Sequence, residues 1–351
     1  MKSRSADPDS ASNQTSEAEF YGCDPDSATA MDASSVREYC PRRNPLGIML
    51  APTGMLPVKS HQSGRVRTPH VPIDCNEIVE DVVACYELGV GAVHLHARDV
   101  DGRPSQNPDL FAGIIEKVRF YCRDIIIGVT TSGREDPSFE GRSRVLEVPG
   151  VDVASLTVTS VQFPNKTVVA SEETIVRLLE VMHRNRIKPE FEFFDTGGIN
   201  MVKRLQRKKC CAGGPIYCNI FLGNMASAQA DLAEIARMIG LLPPGSYCGV
   251  AGFGGFQLKA NTAAILIGGQ THVRTGLEDN IYFDRERKQY ATNPQLVERI
   301  VNLARYFERP IATPGQMRQM MGFEPVTRDV PAVSGHPAGI KASQASMALV
   351  T

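Results

Sequence analysis

"GAVHLHARDVDG", residues 91–102, sets two histidines inside an apolar run and closes in a charged, glycine-containing turn. In an extended strand residues i and i+2 share a face. His94 and His96 therefore stand side by side, while Val93, Leu95 and Ala97 face the other way. Two imidazoles at the end of a buried strand read either as a metal clip or as ordinary hydrogen-bonded histidines. A metal clip requires a fold whose strand ends gather into a site.

Outward from this strand, short β-rich runs alternate with amphipathic helical stretches, the pattern of a parallel sheet. The strand candidates are residues 47–53, 92–98, 124–131, 153–159, 190–195, 216–223, 247–253 and 272–279. Helical patterns follow near 75–89, 108–121, 140–147, 171–186, 197–209, 228–241, 257–267 and 293–307. Ser171 before two glutamates, and Asn293–Pro294, mark two of the helix starts. This alternation predicts an α/β fold, a single-domain TIM (β/α)8 barrel over residues 45–325. A doubly wound sheet is the competing arrangement. Residues 1–44, rich in Ser, Asp, Ala and Pro, read as a disordered or loosely packed extension, and 326–351 as a C-terminal tail.

Of the 351 residues, 42% are hydrophobic and 22% charged, with a net charge of −1. That balance gives no reason to expect nucleic acid or an anionic membrane as partner. No apolar stretch is long enough to span a bilayer. The polar, acidic start lacks the apolar core of a signal peptide. The nine cysteines follow no disulfide or zinc-finger spacing and read as reduced thiols. Together these predict a cytoplasmic location.

In such a barrel, chemistry gathers at the C-terminal ends of several strands. His94 and His96 end the second strand, Thr130 and Gly133 the third, and Ser155 and Thr157 lie in the fourth. Glu190, Glu192 and Asp195 fall in the fifth, and Arg274, Glu278 and Asp279 in the eighth. Three ligands with an open position make a catalytic rather than a structural metal site. Barrel closure puts the eighth strand beside the first and the first beside the second, so Glu278 comes within reach of the two histidines. Two imidazoles and a carboxylate suit zinc or another divalent transition metal. Asp279 then acts as base or orients substrate, and Arg274 holds an anion or pins a carboxylate. The plainer alternative makes Glu278 a turn-capping acid paired with Arg274. Glu190 reads as part of a structural network with cations of neighbouring strands, and Glu192 as a supporting acid. The glycine-rich "AGFGGFQLK", residues 251–259, is either a phosphate cradle or a tight turn.

With those residues in view, the chain resembles the β-keto acid cleavage enzymes, the family that includes 3-keto-5-aminohexanoate cleavage enzyme. The resemblance covers roughly residues 45–325. It rests on "HLHARDVDGRPSQ", "IIIGVTTSG", "PEFEFFDTG", "GVAGFGGFQ", "VRTGLEDNIYF" and "ATPGQMRQMMGF", in that order. It implies a zinc-holding barrel that condenses a β-keto acid with acetyl-CoA, giving acetoacetate and an acyl-CoA by a retro-Claisen route. It also implies His94, His96 and Glu278 as metal ligands and Asp279, Arg274 and Glu192 as catalytic groups. Thr130, Gly133, Ser155 and Asp279 are the implied substrate contacts, and a homotetramer the implied assembly. Leu56 stands where characterised members carry Glu, which implies a substrate without an amino group. Two other functions fit the same residues: a metal-dependent aldolase or lyase that uses no CoA, and a barrel that binds a ligand without chemistry.

Overall fold

The computed structural model describes residues 44–59, 66–163 and 166–323. The expected extension, apart from its last residue, and the expected tail lie outside the described residues. Eight parallel strands close on themselves: β1 Gly47–Leu50, β2 Ala92–Leu95, β3 Ile126–Val129, β4 Val153–Thr157, β5 Lys188–Phe193, β6 Tyr217–Leu222, β7 Tyr247–Gly252 and β8 Thr271–Thr275. Closure is made by β1, which pairs with β8 (Gly47 opposite His272) and with β2 (Met49 opposite Ala92). The expected barrel is therefore the observed fold. Each expected strand is present, and all stop short of the expected C-terminal limit because the chain turns there into the loops of the site.

Helices follow every strand: α1 Cys75–Glu87, α2 Pro108–Tyr121, α3 Phe139–Ser143 with a 3₁₀ turn to Glu147, α4 Glu172–Arg184, α5 Thr196–Arg207, α6 Leu232–Gly240, α7 Gln257–Ile267 and α8 Asn293–Tyr306. Side-chain caps start all of them but α7, since a free helix N-terminus leaves backbone donors unsatisfied. Asp74 and Glu77 form a capping box on α1, and Ser171 accepts from the Thr174 amide as α4 begins. The cap of α8 is Thr292, one residue before the expected Asn293. Asn293 instead ties elements together, accepting from the Leu277 amide at 2.9 Å and donating to the Pro52 carbonyl at 2.9 Å.

The period of two along the strands divides the barrel wall. Ile48, Leu50, Val93, Leu95, Ile127 and Val129 face outward into the layer beneath the helices. The inward set forms layers. At the lower end Met49, Ala92, Ile126, Val153, Tyr217 and Tyr247 pack with Met317 and Met321. Both methionines belong to a short last segment, α9 (Pro314–Met320) and the residue after it, which was not among the expected helices. Its signal was present in the sequence: Thr313 and Gln316 bracket Pro314 as a capping box. Gly47 and Gly91 make room for Met317, because a Cβ on either would meet that side chain at 3.0 and 2.4 Å respectively. Arg318 fastens α9 to Asp152, with Nη1 to Oδ1 at 3.1 Å and Nη2 to Oδ2 at 3.0 Å. Among the described residues, no helix is long and apolar enough to cross a membrane.

Candidate active site

The upper end of the barrel opens into a cavity of about 490 Å³. Above the methionine floor the inward positions turn polar. Asn219 Nδ2 donates to Glu190 Oε1 at 2.5 Å, and the His272 ring stacks on Tyr247 at 4.7 Å and on Tyr217 at 5.5 Å between ring centres. Gly249 faces this layer because any side chain there would occupy the Asn219 amide, 1.7 Å from a Cβ. Burial holds the His272 imidazole down at about 3, so it is neutral. The same burial pushes the Glu190 carboxyl up to about 8, against the opposing Arg274 charge. The expected cationic partner of Glu190 is thus an amide donor to a carboxyl that stays protonated at neutral pH.

A protonated buried acid makes a pH prediction whose sign follows from linkage. The folded-state value lies above the unfolded one near 4.5, so folding favours the protonated form. The contribution of Glu190 is fully present below about pH 4.5 and is lost as pH rises towards about 8. Glu190→Gln keeps an acceptor for Asn219 and has no proton to lose. Its stability relative to the parent is expected to rise between those limits by several kcal/mol, of order ~1.4 kcal/mol per unit of pH. Parallel urea titrations of the two proteins from pH 5 to 8.5 measure it, and a constant difference refutes it.

The next layer carries the chemistry. His94 and His96 both turn inward from the end of β2, with their Nε2 atoms 3.3 Å apart. Glu278 reaches them from the turn after β8, with Oε1 3.1 Å from His96 Nε2 and Oε2 3.9 Å from His94 Nε2. The eighth strand ends at Thr275, four residues earlier than expected, so Glu278 does not share a strand face with Arg274. Gly276 makes the difference. Its φ of +144° brings the backbone against Ala51, where a Cβ would lie 2.1 Å from the carbonyl oxygen. The tight turn that results lets the adjacent Glu278 and Asp279 both face the cavity.

The donor set fits a divalent transition metal. Donors bound at ~2.0–2.1 Å in a tetrahedron lie ~3.3 Å apart, which is the spacing of the two imidazole nitrogens. His94, His96 and Glu278 place one candidate ligand atom each within 4.8 Å of one another. Burial, aided by the Arg274 charge, holds His94 well below its ordinary value, so its imidazole is neutral and able to ligate. Burial works against ionisation of Glu278, but His96 and Arg274 outweigh it and keep the carboxylate charged.

Arg274, buried at the top of β8, organises the acids. Its Nη2 lies 2.9 Å from Glu278 Oε2, and its Nε and Nη2 donate to Asp279 at 2.9 and 3.3 Å. Burial pushes Asp279 up from its ordinary value, with the Arg274 charge opposing. Burial likewise raises Glu192, to which Thr157 Oγ1 donates a hydrogen bond. Thr130, Ser132 and Gly133 line the cavity from the end of β3, and Leu56 lines it from the loop after β1, 39% exposed.

His94, His96, Glu278, Arg274, Asp279, Glu192, Thr130 and Gly133 all border the one cavity. Ser155 does not. It sits one layer deeper, where its Oγ accepts from the Thr131 amide at 3.3 Å and its carbonyl accepts from Thr131 Oγ1 at 2.5 Å. The cavity-facing hydroxyl of β4 is Thr157, two residues on and on the same strand face. Arg98 carries a structural task, donating to the Pro57 and Gly102 carbonyls at 2.8 and 3.0 Å. Asp195 caps α5. The glycine-rich segment is a tight turn, with the Gly254 amide bonded to the Asp279 carbonyl at 2.7 Å.

Comparison with known proteins identifies the family of the chain. The sequence profile of the beta-keto acid cleavage enzyme family matches residues 45–323. The 3-keto-5-aminohexanoate cleavage enzymes of Acetoanaerobium sticklandii and Fusobacterium nucleatum are 33% and 35% identical, covering 72% and 73% of this chain and 92% of each relative. The 3-oxoadipate:acetyl-CoA acetyltransferase of Cupriavidus necator is 33% identical over 79% of this chain and 95% of its own length. Among solved structures, the ternary complex of ObcA with a C4-CoA adduct and oxalate superposes with a TM-score of 0.64 at 20% identity, over 75% of this chain and 69% of that one. That likeness shows the fold.

Proposed function

The chain belongs to the beta-keto acid cleavage enzyme family, and from that premise we propose that it moves an acyl group from a β-keto acid to CoA, with acetyl-CoA as co-substrate and acetoacetate as second product. The observation that carries the reading is the convergence of His94, His96 and Glu278 beside an Asp279 carboxylate gripped by Arg274. His94, His96 and Glu278 would hold a zinc ion, which when bound supplies Lewis-acid polarisation of the substrate's carbonyl oxygen. A homotetramer, on the strength of the family resemblance, and a cytoplasmic location, on the reading of the nine cysteines as reduced thiols, are part of the same proposal.

Asp279 takes a proton from the carbon between ketone and carboxylate. Its burial raises its proton affinity, and Arg274 fixes both the direction and the position of its oxygens. The carbanion attacks the thioester carbonyl of acetyl-CoA, and CoA leaves as its thiolate. That thiolate attacks the original ketone carbon. The bond from this carbon to the α-carbon breaks, leaving an acyl-CoA and the acetoacetate carbanion, to which Asp279 returns the proton. Thr130 and the Gly133 segment border the place of the substrate carboxylate, and Glu192, oriented by Thr157, faces the reacting carbons.

Acetoacetate release tests the scheme. Purified protein supplied with zinc, acetyl-CoA and a panel of β-keto acids is expected to form acetoacetate and a new acyl-CoA in equal amounts, and none without acetyl-CoA. Cleavage without the thioester would establish an aldolase or lyase instead. Metal uptake with no thioester consumed across the panel would establish a binding protein.

A further inference from the structure

The cavity is chemically divided. Most of its charged groups lie on the β8, β2 and β3 side and at the rim, whereas the wall raised by β4 to β7 carries one acid, Glu192, among mainly apolar side chains. Phe194, Phe221 and Phe253, from the ends of β5, β6 and β7, form a near-parallel stack with centres 5.2, 5.5 and 6.2 Å apart. Phe163 meets Phe194 edge-on at 5.9 Å. It belongs to a small antiparallel hairpin after β4, Val161–Phe163 with Lys166–Val168, whose Val161 and Val168 also line the cavity.

The polar groups of this wall are engaged. Glu192 accepts from Thr157, and Asn224 donates to the Gln162 carbonyl at 2.9 Å and to Ser227 Oγ at 3.0 Å. The other cavity carboxylates, Glu278 and Asp279, are held by Arg274. An ammonium group on the substrate would meet one carboxylate on this wall, Glu192, already oriented by Thr157. Two arginines border the cavity beside this wall, each engaged by a neighbour. Arg134 lies over the Phe163 ring at 3.5 Å, and Arg142, 2% exposed, is anchored by its Nε on the Thr131 carbonyl at 2.9 Å.

We infer that the β4–β7 wall is the side-chain pocket of the substrate and that it selects an uncharged apolar substituent, a medium-length alkyl chain or an aryl ring, on the ketone side of the β-keto acid. The inference rests on the reaction proposed above. Burial of apolar surface gives each methylene a roughly three- to fourfold gain. A charged terminus stripped of water without a partner is strongly disfavoured.

The test uses the full chain with zinc and two readouts. Acetoacetate formation is followed with 3-oxohexanoate, 3-oxooctanoate, 3-oxoadipate and 3-keto-5-aminohexanoate. Calorimetry follows the binding of hexanoate, octanoate, adipate and 6-aminohexanoate. The expected kcat/KM for 3-oxooctanoate is about tenfold that for 3-oxohexanoate and at least about a hundredfold that for either charged substrate, with the saturated acids ranked the same way in Kd. Phe163→Ala, at a half-buried position, is expected to shrink the octanoyl-to-hexanoyl ratio towards unity. A preference for the dicarboxylate or the amino acid, in turnover or in binding, overturns the inference, as does an unchanged ratio in the variant. Graded binding without acetoacetate from any substrate upholds the pocket and overturns the reaction.

Discussion

His94→Ala is expected to cost the protein its metal and its turnover together. Loss of an outer-shell partner of a metal ligand typically weakens affinity 10- to 100-fold, so loss of a ligand is expected to weaken it by more than about a hundredfold. Lewis-acid stabilisation is worth several kcal/mol at the transition state, which sets the expected fall in turnover at about 10³-fold or more. Metal content after dialysis and initial rates at saturating acetyl-CoA measure the two effects. The folded state offers a control, since His94 is neutral and its Nδ1 has no hydrogen-bond partner. The metal-free variant therefore loses packing but no ion pair relative to the metal-free parent. Full turnover in a protein that no longer retains metal would sink the proposed mechanism.

The second large effect concerns Arg274. This one guanidinium faces two carboxylates, the buried Asp279 and the half-buried Glu278, and its charge also bears on Glu190 below. Arg274→Met keeps much of the side-chain volume and removes the charge. Breaking a buried pair from one side costs about 3–5 kcal/mol, because the abandoned charge stays in a poor solvent. The metal-free variant is expected to show that loss in urea denaturation at pH 7, with the midpoint shifted and the slope unchanged. Arg274→Lys restores the charge but not the two-pronged grip on Asp279. It is expected to recover most of the stability while kcat stays depressed and KM changes little, the mark of a group that positions the base. A methionine variant as stable as the parent would show that the acids are balanced by something other than Arg274.

Much of this was readable from the sequence. The strand period of two puts His94 and His96 on one face, and the alternation of short strands with amphipathic helices puts that face inside a barrel. Closure of the barrel then brings Glu278 round to them, although more than 180 residues intervene in the chain. The reach of the turn was not readable. Treating residues 272–279 as strand assigns Arg274 and Glu278 to a common face, whereas Gly276 breaks the strand and presents the acids by a different path. Depth was also hidden. Ser155 and Thr157 share a face, and only the stagger of β4 against its neighbours decides which hydroxyl reaches the cavity. The aromatic stack could not be seen at all, since Phe194, Phe221 and Phe253 come from three separate strand ends and look individually like core residues.

The barrel's lower end has a consequence for synthesis. Every strand from β1 to β8 precedes α9 in the chain, so all the strands of the cylinder are made before the residues that stopper it. Until Met317 and Met321 arrive, the lower ring of Met49, Tyr217 and Tyr247 lacks their cover, and Asp152 waits for its ion pair with Arg318. Domains that emerge in this order expose apolar surface until their last segment is released. A chain that ended before Pro314 would hold a barrel with an open bottom, the form most in need of a chaperone.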